Sequence, residues 1–369
     1  MKLHQWGLIA LSVFATTTQA VDIKTERYLL DVKPIATGLK NPWGLAVMPN
    51  GNLLVTERAG GISIVTTQGK ITPITGLPQI EVKGQGGLLD LVLAPDFATS
   101  QKVYFSYTEA SEGRNSTAVS YGQLKNNRLE NVTRVFSQVP KVNSALHFGS
   151  RLVWAKDGTL FITLGERYER KDDAQILNNH NGKVVRINAD GSVPKDNPFI
   201  NTPNALPEIW SFGHRNVQGA ALHPVTGELW SGEHGPQGGD EINIDRAGKN
   251  YGWPVITYGE NYGGGKIGDG LISKAGMEQP LHYWVPSIAT AGFIFYTGNQ
   301  FPEWKNNIIL GALNGKTLVR LVTDGDKIIH EERLFSKEID KRIRSVAQAQ
   351  DGTIYIATDE GEIYHIARQ

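Results

Sequence analysis

Cysteine is absent from all 369 residues, which removes disulfides, thiolate metal sites and cysteine nucleophiles together. Net charge is absent too: 37 Lys and Arg face 37 Asp and Glu, so no long-range field draws in nucleic acid or an anionic membrane. No segment approaches the run of about 20 apolar residues that a bilayer crossing requires. Long amphipathic helices, heptad runs and low-complexity linkers are also missing. What remains is a chain stabilised by its core and by any bound ions.

A short apolar stretch, Trp6 to Ala15, follows Lys2 and His4 and precedes Thr18-Gln19-Ala20. That is the layout of a secretory signal peptide. Residues 1–20 are therefore expected to be a leader, with Val21 opening a single domain over 21–369. Its removal takes away one charge, Lys2, and leaves a formal balance of −1. Export without cysteine suits a bacterial periplasm, and no stable membrane insertion is expected of the remainder.

A unit then recurs six times: a Gly or Pro-Trp-Gly start, a short alternating strand, a Pro, Asn or Asp-Gly turn, and a second strand. Trp43-Gly44-Leu45-Ala46 leads to Leu53-Leu54-Val55-Thr56, and Gly149-Ser150-Arg151-Leu152 leads to Leu160-Phe161-Ile162-Thr163. Copies begin near Gly87, Gly219, Gly292 and Arg344 as well. Period-two alternation closed by Asn50-Gly51, Asp157-Gly158 or Asp351-Gly352 is an antiparallel hairpin signal. The spacing suits propeller blades of four strands, which need about 40 to 50 residues each. The expected fold is all-β, a six-bladed β-propeller of four-stranded antiparallel blades; a sandwich with insertions would not explain six similar units. Gly263, Gly265 and Gly268 spell GxGxxG, but no βαβ unit surrounds them, and a nucleotide fingerprint needs that context. They are read as a loop at a pocket rim.

In a propeller, polar residues at strand starts converge on one mouth of the axis. His147 stands just before the third unit, and Glu166 ends the next strand of the same unit in Leu164-Gly165-Glu166. A carboxylate on one imidazole nitrogen orients the other and raises its basicity, which a general base needs. A lone histidine is more often a surface or core residue; Glu166 is what changes the balance. Arg215 and Asn216, in Gly213-His214-Arg215-Asn216, place a cation beside an amide, a pair that suits a planar polyanion. Arg342 and Arg344 share one face of an extended stretch, a cost unless an anion lies between them. Glu233-His234-Gly235-Pro236-Gln237-Gly238-Gly239-Asp240-Glu241 combines turning glycines with hard oxygen ligands of the kind calcium takes, or is an acidic solvated turn.

Taken in order, Gly84-Gln85-Gly86-Gly87-Leu88-Leu89-Asp90, His147-Phe148-Gly149, Gly213-His214-Arg215-Asn216, Glu233-His234-Gly235-Pro236 with Asp240-Glu241-Ile242-Asn243, and Asn250-Tyr251-Gly252-Trp253-Pro254 resemble the soluble pyrroloquinoline quinone (PQQ)-dependent sugar dehydrogenases, above all the bacterial aldose sugar dehydrogenase branch. The resemblance runs from about Val32 to the C-terminus. It implies oxidation of aldoses at the anomeric carbon to lactones, with PQQ and calcium as cofactors and an external electron acceptor. It makes His147 the base and Glu166 its support. Gln85, Arg215, Asn216, Asn314, Arg342 and Arg344 fall at cofactor-contacting positions, and Tyr262 is a weaker candidate. The carbonyls of Gly235 and Pro236 match ligands of the activating calcium, while Glu241 and Tyr251 match a second, structural site. Asn314 departs from the family pattern, standing where a lysine commonly pairs with a PQQ carboxylate. Leu146, His234 and Glu166 depart from the glucose dehydrogenase branch but suit the aldose branch. Two alternatives stay open: a calcium-dependent lactonase-like hydrolase, and a non-catalytic carbohydrate- or protein-binding propeller. Monomer and homodimer are both compatible with the sequence.

Overall fold

The computed structural model describes residues 20–335 and 337–369; the expected leader, apart from Ala20, lies outside the described residues. Six antiparallel sheets follow one another along the chain. Their first strands are Pro42–Val47, Leu88–Leu93, Gly149–Trp154, Val217–Leu222, Thr290–Phe295 and Ile343–Gln348. These pack side by side in a closed ring, the sixth against the first, so the sheets radiate as propeller blades.

Each interface between neighbouring blades carries its own apolar core. Leu54, Ile62 and Ile74 of the first blade meet Leu91, Val103 and Phe105 of the second, and Tyr104 and Val119 on the second blade's other face meet Leu152, Leu160 and Ile162 of the third. The same holds between the fourth and fifth blades, where Trp230 and Ile242 meet Phe293, Ile308 and Leu310. An inner strand is thus apolar on both faces: every residue of Leu160–Leu164 and of Ile354–Thr358 is buried. That is why the second strands read as nearly continuous Leu, Ile, Val and Phe rather than as strict alternation.

The last blade differs from the four-stranded expectation. Ile343–Gln348, Ile354–Thr358 and Ile363–Arg368 come from the C-terminus, and Leu29–Ala36 and Val21–Lys24 from the N-terminus complete a five-stranded sheet. The two chain ends therefore close the ring by pairing, Val32 opposite Ile366 and Leu30 opposite Arg368. A buried guanidinium secures this closure: Arg320 of the fifth blade donates to Glu332 (2.7 Å), Asn307 (2.8 Å) and Glu26 of the N-terminal segment (3.1 Å).

The axis is filled by a polar chain. Arg151 donates to Asp90 Oδ1 (2.8 Å) and, through Nε and Nη2, to the Gln218 carbonyl (3.1 and 3.0 Å). Gln218 Oε1 accepts from Arg344 Nη1 (2.6 Å), and Arg344 makes a two-pronged pair with Asp359 (2.9 and 3.1 Å). The Trp43 ring lies against this chain, 4.3 Å from the Arg151 guanidinium carbon. Blades one, two, three, four and six each contribute a group. The fifth contributes space, because a Cβ on Gly292 would sit 2.9 Å from Arg151 Nη2.

Removing one member of a buried ion pair strands the other. Arg151→Met should lower the unfolding free energy by about 3–5 kcal/mol, seen as a fall in the urea midpoint, and adding Asp90→Asn, which removes the stranded charge but keeps an acceptor for the Leu152 N–H, should restore part of it. A single variant as stable as the parent chain would show that the pair does not hold the axis.

Candidate active site

His147 and Glu166 meet across the hairpin of the third blade. Gly149 pairs with Leu164, which sets the two residues just beyond the same end of the sheet. Gly165 makes the approach possible, since any side chain there would strike the His147 carbonyl. Imidazole Nδ1 lies 2.7 Å from Glu166 Oε2, and the backbone N–H of Tyr168 donates to the same oxygen. With Nδ1–H donating, Nε2 keeps its lone pair for a substrate proton. Both side chains are buried, at 6% and 0% exposure. Burial lowers the His147 pKa below its ordinary value; the Glu166 carboxylate opposes this, and the Arg215 and Arg167 cations add to it. The imidazole is therefore neutral at neutral pH, the form a base requires. His147 itself has φ of 51°, a left-handed conformation that costs of order 1–3 kcal/mol outside glycine.

Gln85, Arg215 and Asn216 bond to the segments that carry this pair, and Pro236 and Tyr262 share a cavity with Glu166. Gln85 Oε1 accepts the His147 N–H (2.9 Å). Asn216 Oδ1 accepts the Gly149 N–H (3.1 Å), while its Nδ2 is buried with no partner. The Arg215 backbone N–H donates to Glu233 (2.8 Å) and its carbonyl accepts from Glu166 N (3.0 Å). Its guanidinium lies 5.2 Å from the Trp253 ring, with Nε buried and unpartnered. Glu166, Tyr168, Arg215, Pro236, Trp253 and Tyr262 line one cavity of about 300 Å³. Tyr262, 63% exposed, stands at its rim.

Arg342 and Arg344 do share a face, and the anion between them belongs to the chain. Asp359 takes Arg342 Nε (3.1 Å) as well as both prongs of Arg344. Burial pushes the Asp359 carboxyl up, but the two arginines outweigh it and hold it below the usual range. Asp359 is shared by the two guanidiniums, the Glu360 carboxylate accepts the Arg342 backbone N–H (3.2 Å), and the Arg58 cation lies close enough to act on Arg342, Arg344 and Asp359. Arg342 also reaches the Leu313 carbonyl (3.4 Å), beside Asn314, whose exposed amide donates to Ser287 O (3.1 Å).

In the Glu233–Glu241 loop, Asp240 is not an open ligand as its sequence context suggests. Its carboxylate accepts from Gly235 N (2.9 Å), Ser287 Oγ (2.8 Å) and Ala289 N (2.6 Å), fastening the loop to the next blade. Gly235 O accepts Arg215 Nη1 (2.7 Å). The Tyr251 hydroxyl is fully engaged, donating to Ile244 O and accepting from Arg246 N. Glu241 stands apart. It shares Asn243 Nδ2 with Glu233 (3.1 and 3.3 Å), and Asn243 Oδ1 is buried without a partner. Burial, then the Glu233 charge, push Glu241 up to about 8. The Glu241 carboxyl and the orphaned Asn243 amide oxygen, beside a small cavity that Tyr251 and Thr257 also line, are hard-oxygen donors of the kind a divalent cation takes; both Glu233 oxygens are already engaged, Oε1 by His214 Nδ1 (3.3 Å) and Asn243 Nδ2 (3.3 Å) and Oε2 by Arg215 N (2.8 Å).

Sequence reading missed Asp359 and Trp43 at the axis and Arg167 beside His147 and Glu166. Asp359 follows the second strand of its blade much as Glu166 does, and that parallel is the signal that would have found it.

The glucose/sorbosone dehydrogenase family profile matches residues 39–365. The aldose sugar dehydrogenase of Escherichia coli is 43% identical over 347 residues, covering 92% of this chain and 93% of that protein. Its apo crystal structure superposes with a TM-score of 0.88 over 92% of this chain and 100% of that one, at 42% identity. A PQQ-bound aldose sugar dehydrogenase from Streptomyces coelicolor superposes with a TM-score of 0.77 at 28% identity, covering 92% and 98%.

Because Glu166 raises the His147 pKa, Glu166→Gln should move the imidazole titration to lower pH. Following the His147 Cε1 proton by NMR checks this; an unmoved or raised midpoint would contradict the geometry.

Proposed function

The chain belongs to the glucose/sorbosone dehydrogenase family, and on that footing we propose that it oxidises aldoses at C1 to lactones, using PQQ and calcium and passing electrons to an external acceptor. It is an aldose sugar dehydrogenase, an oxidoreductase. The observation that carries the finer assignment is the buried His147–Glu166 pair, close to Arg215 and Asn216, whose Nε and Nδ2 have no partner among the described residues.

PQQ carries three carboxylates and an ortho-quinone on a flat ring system, and the donors fit it. Arg342 and Arg344, two guanidiniums that share the single carboxylate of Asp359, suit a further carboxylate. Arg215 Nε and Asn216 Nδ2, buried and unpartnered, suit the quinone end. Asn314 supplies an amide where a cation would bind a carboxylate more strongly, so the arginines bear more of that load. When bound, PQQ supplies the acceptor for the hydride leaving C1, and calcium beside it acts as a Lewis acid. His147 Nε2 takes the proton of the anomeric hydroxyl. Glu166 then faces an imidazolium instead of a neutral ring, a charge pair that is strong at low dielectric. Arg215 stabilises negative charge that develops nearby. The hard-oxygen pocket of Glu241 and Asn243 is assigned to a structural calcium, with the Tyr251 carbonyl as the ligand left once its hydroxyl is spent. The periplasm is proposed as the compartment, from the leader-like first 20 residues.

The purified apo-protein should oxidise a panel of aldoses with an artificial dye acceptor only when PQQ and calcium are both added. No activity, with no change in the PQQ absorbance on mixing, would overturn the proposal. Calcium alone should raise the melting temperature of the EDTA-treated chain, and Glu241→Ala should abolish that rise; a rise that survives the substitution would remove the structural site.

A further inference from the structure

We propose that Arg167 is a positioning residue for the His147–Glu166 pair, clamping together the two loop segments that carry the base and its carboxylate. The inference rests on the assignment of His147 as the base.

Arg167 follows Glu166 and is completely buried. It and Tyr168 both have left-handed backbones, φ of 71° and 67°, a conformation that long side chains such as these, unlike glycine or asparagine, adopt only when their surroundings impose it. The consequence is local: the turn brings the Tyr168 N–H back onto Glu166 Oε2 and the Tyr168 ring edge-on to His147, at 5.3 Å. The turn is held by Ser144, whose hydroxyl donates to the Arg167 carbonyl (3.0 Å).

The guanidinium reaches the opposite segment on both sides of His147. Its carbon lies 3.6 Å from the centroid of the Phe148 ring, one residue after the base. Nη2 donates to the Ser144 carbonyl (2.9 Å), three residues before it, and to Asn115 Oδ1 of the second blade. Nε and Nη1 are buried with no hydrogen-bond partner. Burying a cation this way is costly unless charges nearby compensate. Glu166 and Glu81 do so by charge alone, and Glu81 Oε2 is itself buried and unpartnered. Burial lowers the Arg167 pKa to about 9, which leaves it cationic at neutral pH.

That cation also acts on the base. Glu166 faces His147 from the same hairpin, Arg215 and His234 face it from the fourth blade, and Arg167 and Tyr168 from the turn. Of these, Glu166 favours the imidazolium, whereas Arg215 and Arg167 disfavour it. Loss of Arg167 therefore raises the His147 pKa, and a lysine in its place keeps the charge but not the planar stack on Phe148.

The test compares the full chain with Arg167→Lys, Arg167→Met and Phe148→Leu, following the His147 titration by NMR and the kcat, KM and PQQ affinity of the reconstituted enzyme. In Arg167→Met the His147 midpoint should rise and kcat fall about 100-fold, the scale of a small misplacement of a reacting group, with KM and PQQ affinity within about threefold. Arg167→Lys should keep the midpoint while losing part of kcat. Should Arg167→Met fail to fold, Phe148→Leu should lower kcat and leave the midpoint in place. Folded variants with the parent midpoint and kcat would overturn the proposal. So would losses of kcat that track PQQ affinity alone. A parent chain that binds PQQ but oxidises no sugar would instead overturn the assigned function, while the NMR comparison still reports on the clamp.

Discussion

A closed ring of six blades has an axis that must be filled, and here it is filled by charge. Asp90, Arg151, Gln218, Arg344 and Asp359 form one hydrogen-bonded chain linking four blades, with the first blade's Trp43 laid against it. Apolar cores between blades fix each blade to its neighbours, but they act pairwise around the circle. The axial chain is what relates blades that do not touch. It costs desolvation of two guanidiniums and two carboxylates, and such groups are retained only when every partner is in place. At its end Asp359 also takes Arg342, so the two arginines proposed to meet an anionic cofactor are tied to the chain that closes the axis.

The candidate site depends on strand starts held rigidly. His147, Asn216 and Arg344 belong to three different blades, each at or just before a first strand. Hydrogen bonds between blades set their spacing: Gln85 to His147 N, Asn216 to Gly149 N, and Arg215 O to Glu166 N. Left-handed residues cluster here as well, His147, Ser150, Arg167 and Tyr168 among them. Strain of this kind persists where the surroundings over-determine it, as the cross-blade bonds do. The result is an imidazole whose pKa burial lowers yet which a carboxylate orients, near donors with unused capacity.

Much of this was legible in the sequence. Six hairpins stand out because each carries its own turn and apolar strands, and His147 could be paired with Glu166 because antiparallel register puts the start of one strand beside the end of the next. The rest depends on information that local patterns do not hold. Val21–Lys24 has too little periodicity to announce that it adds a fifth strand to the last blade. Arg342 and Arg344 suggested an anion between them, but that it is Asp359 depends on the turn from the second strand. Asp240 has the composition of a metal ligand, yet its oxygens are taken by Gly235, Ser287 and Ala289, the last two on a loop far along the chain. Arg167 gave no signal, since nothing in its neighbours marks two successive left-handed residues.

The central claim is that C1 loses its hydride while His147 takes the hydroxyl proton. Single-turnover reduction of the PQQ-loaded protein by an aldose deuterated at C1, set beside the ordinary sugar, tests it most directly. The account predicts a slower reduction with the deuterated sugar and, in His147→Ala, a rate lower by about 10²–10⁴. Equal rates for the two sugars, or a His147→Ala variant as fast as the parent, would contradict it.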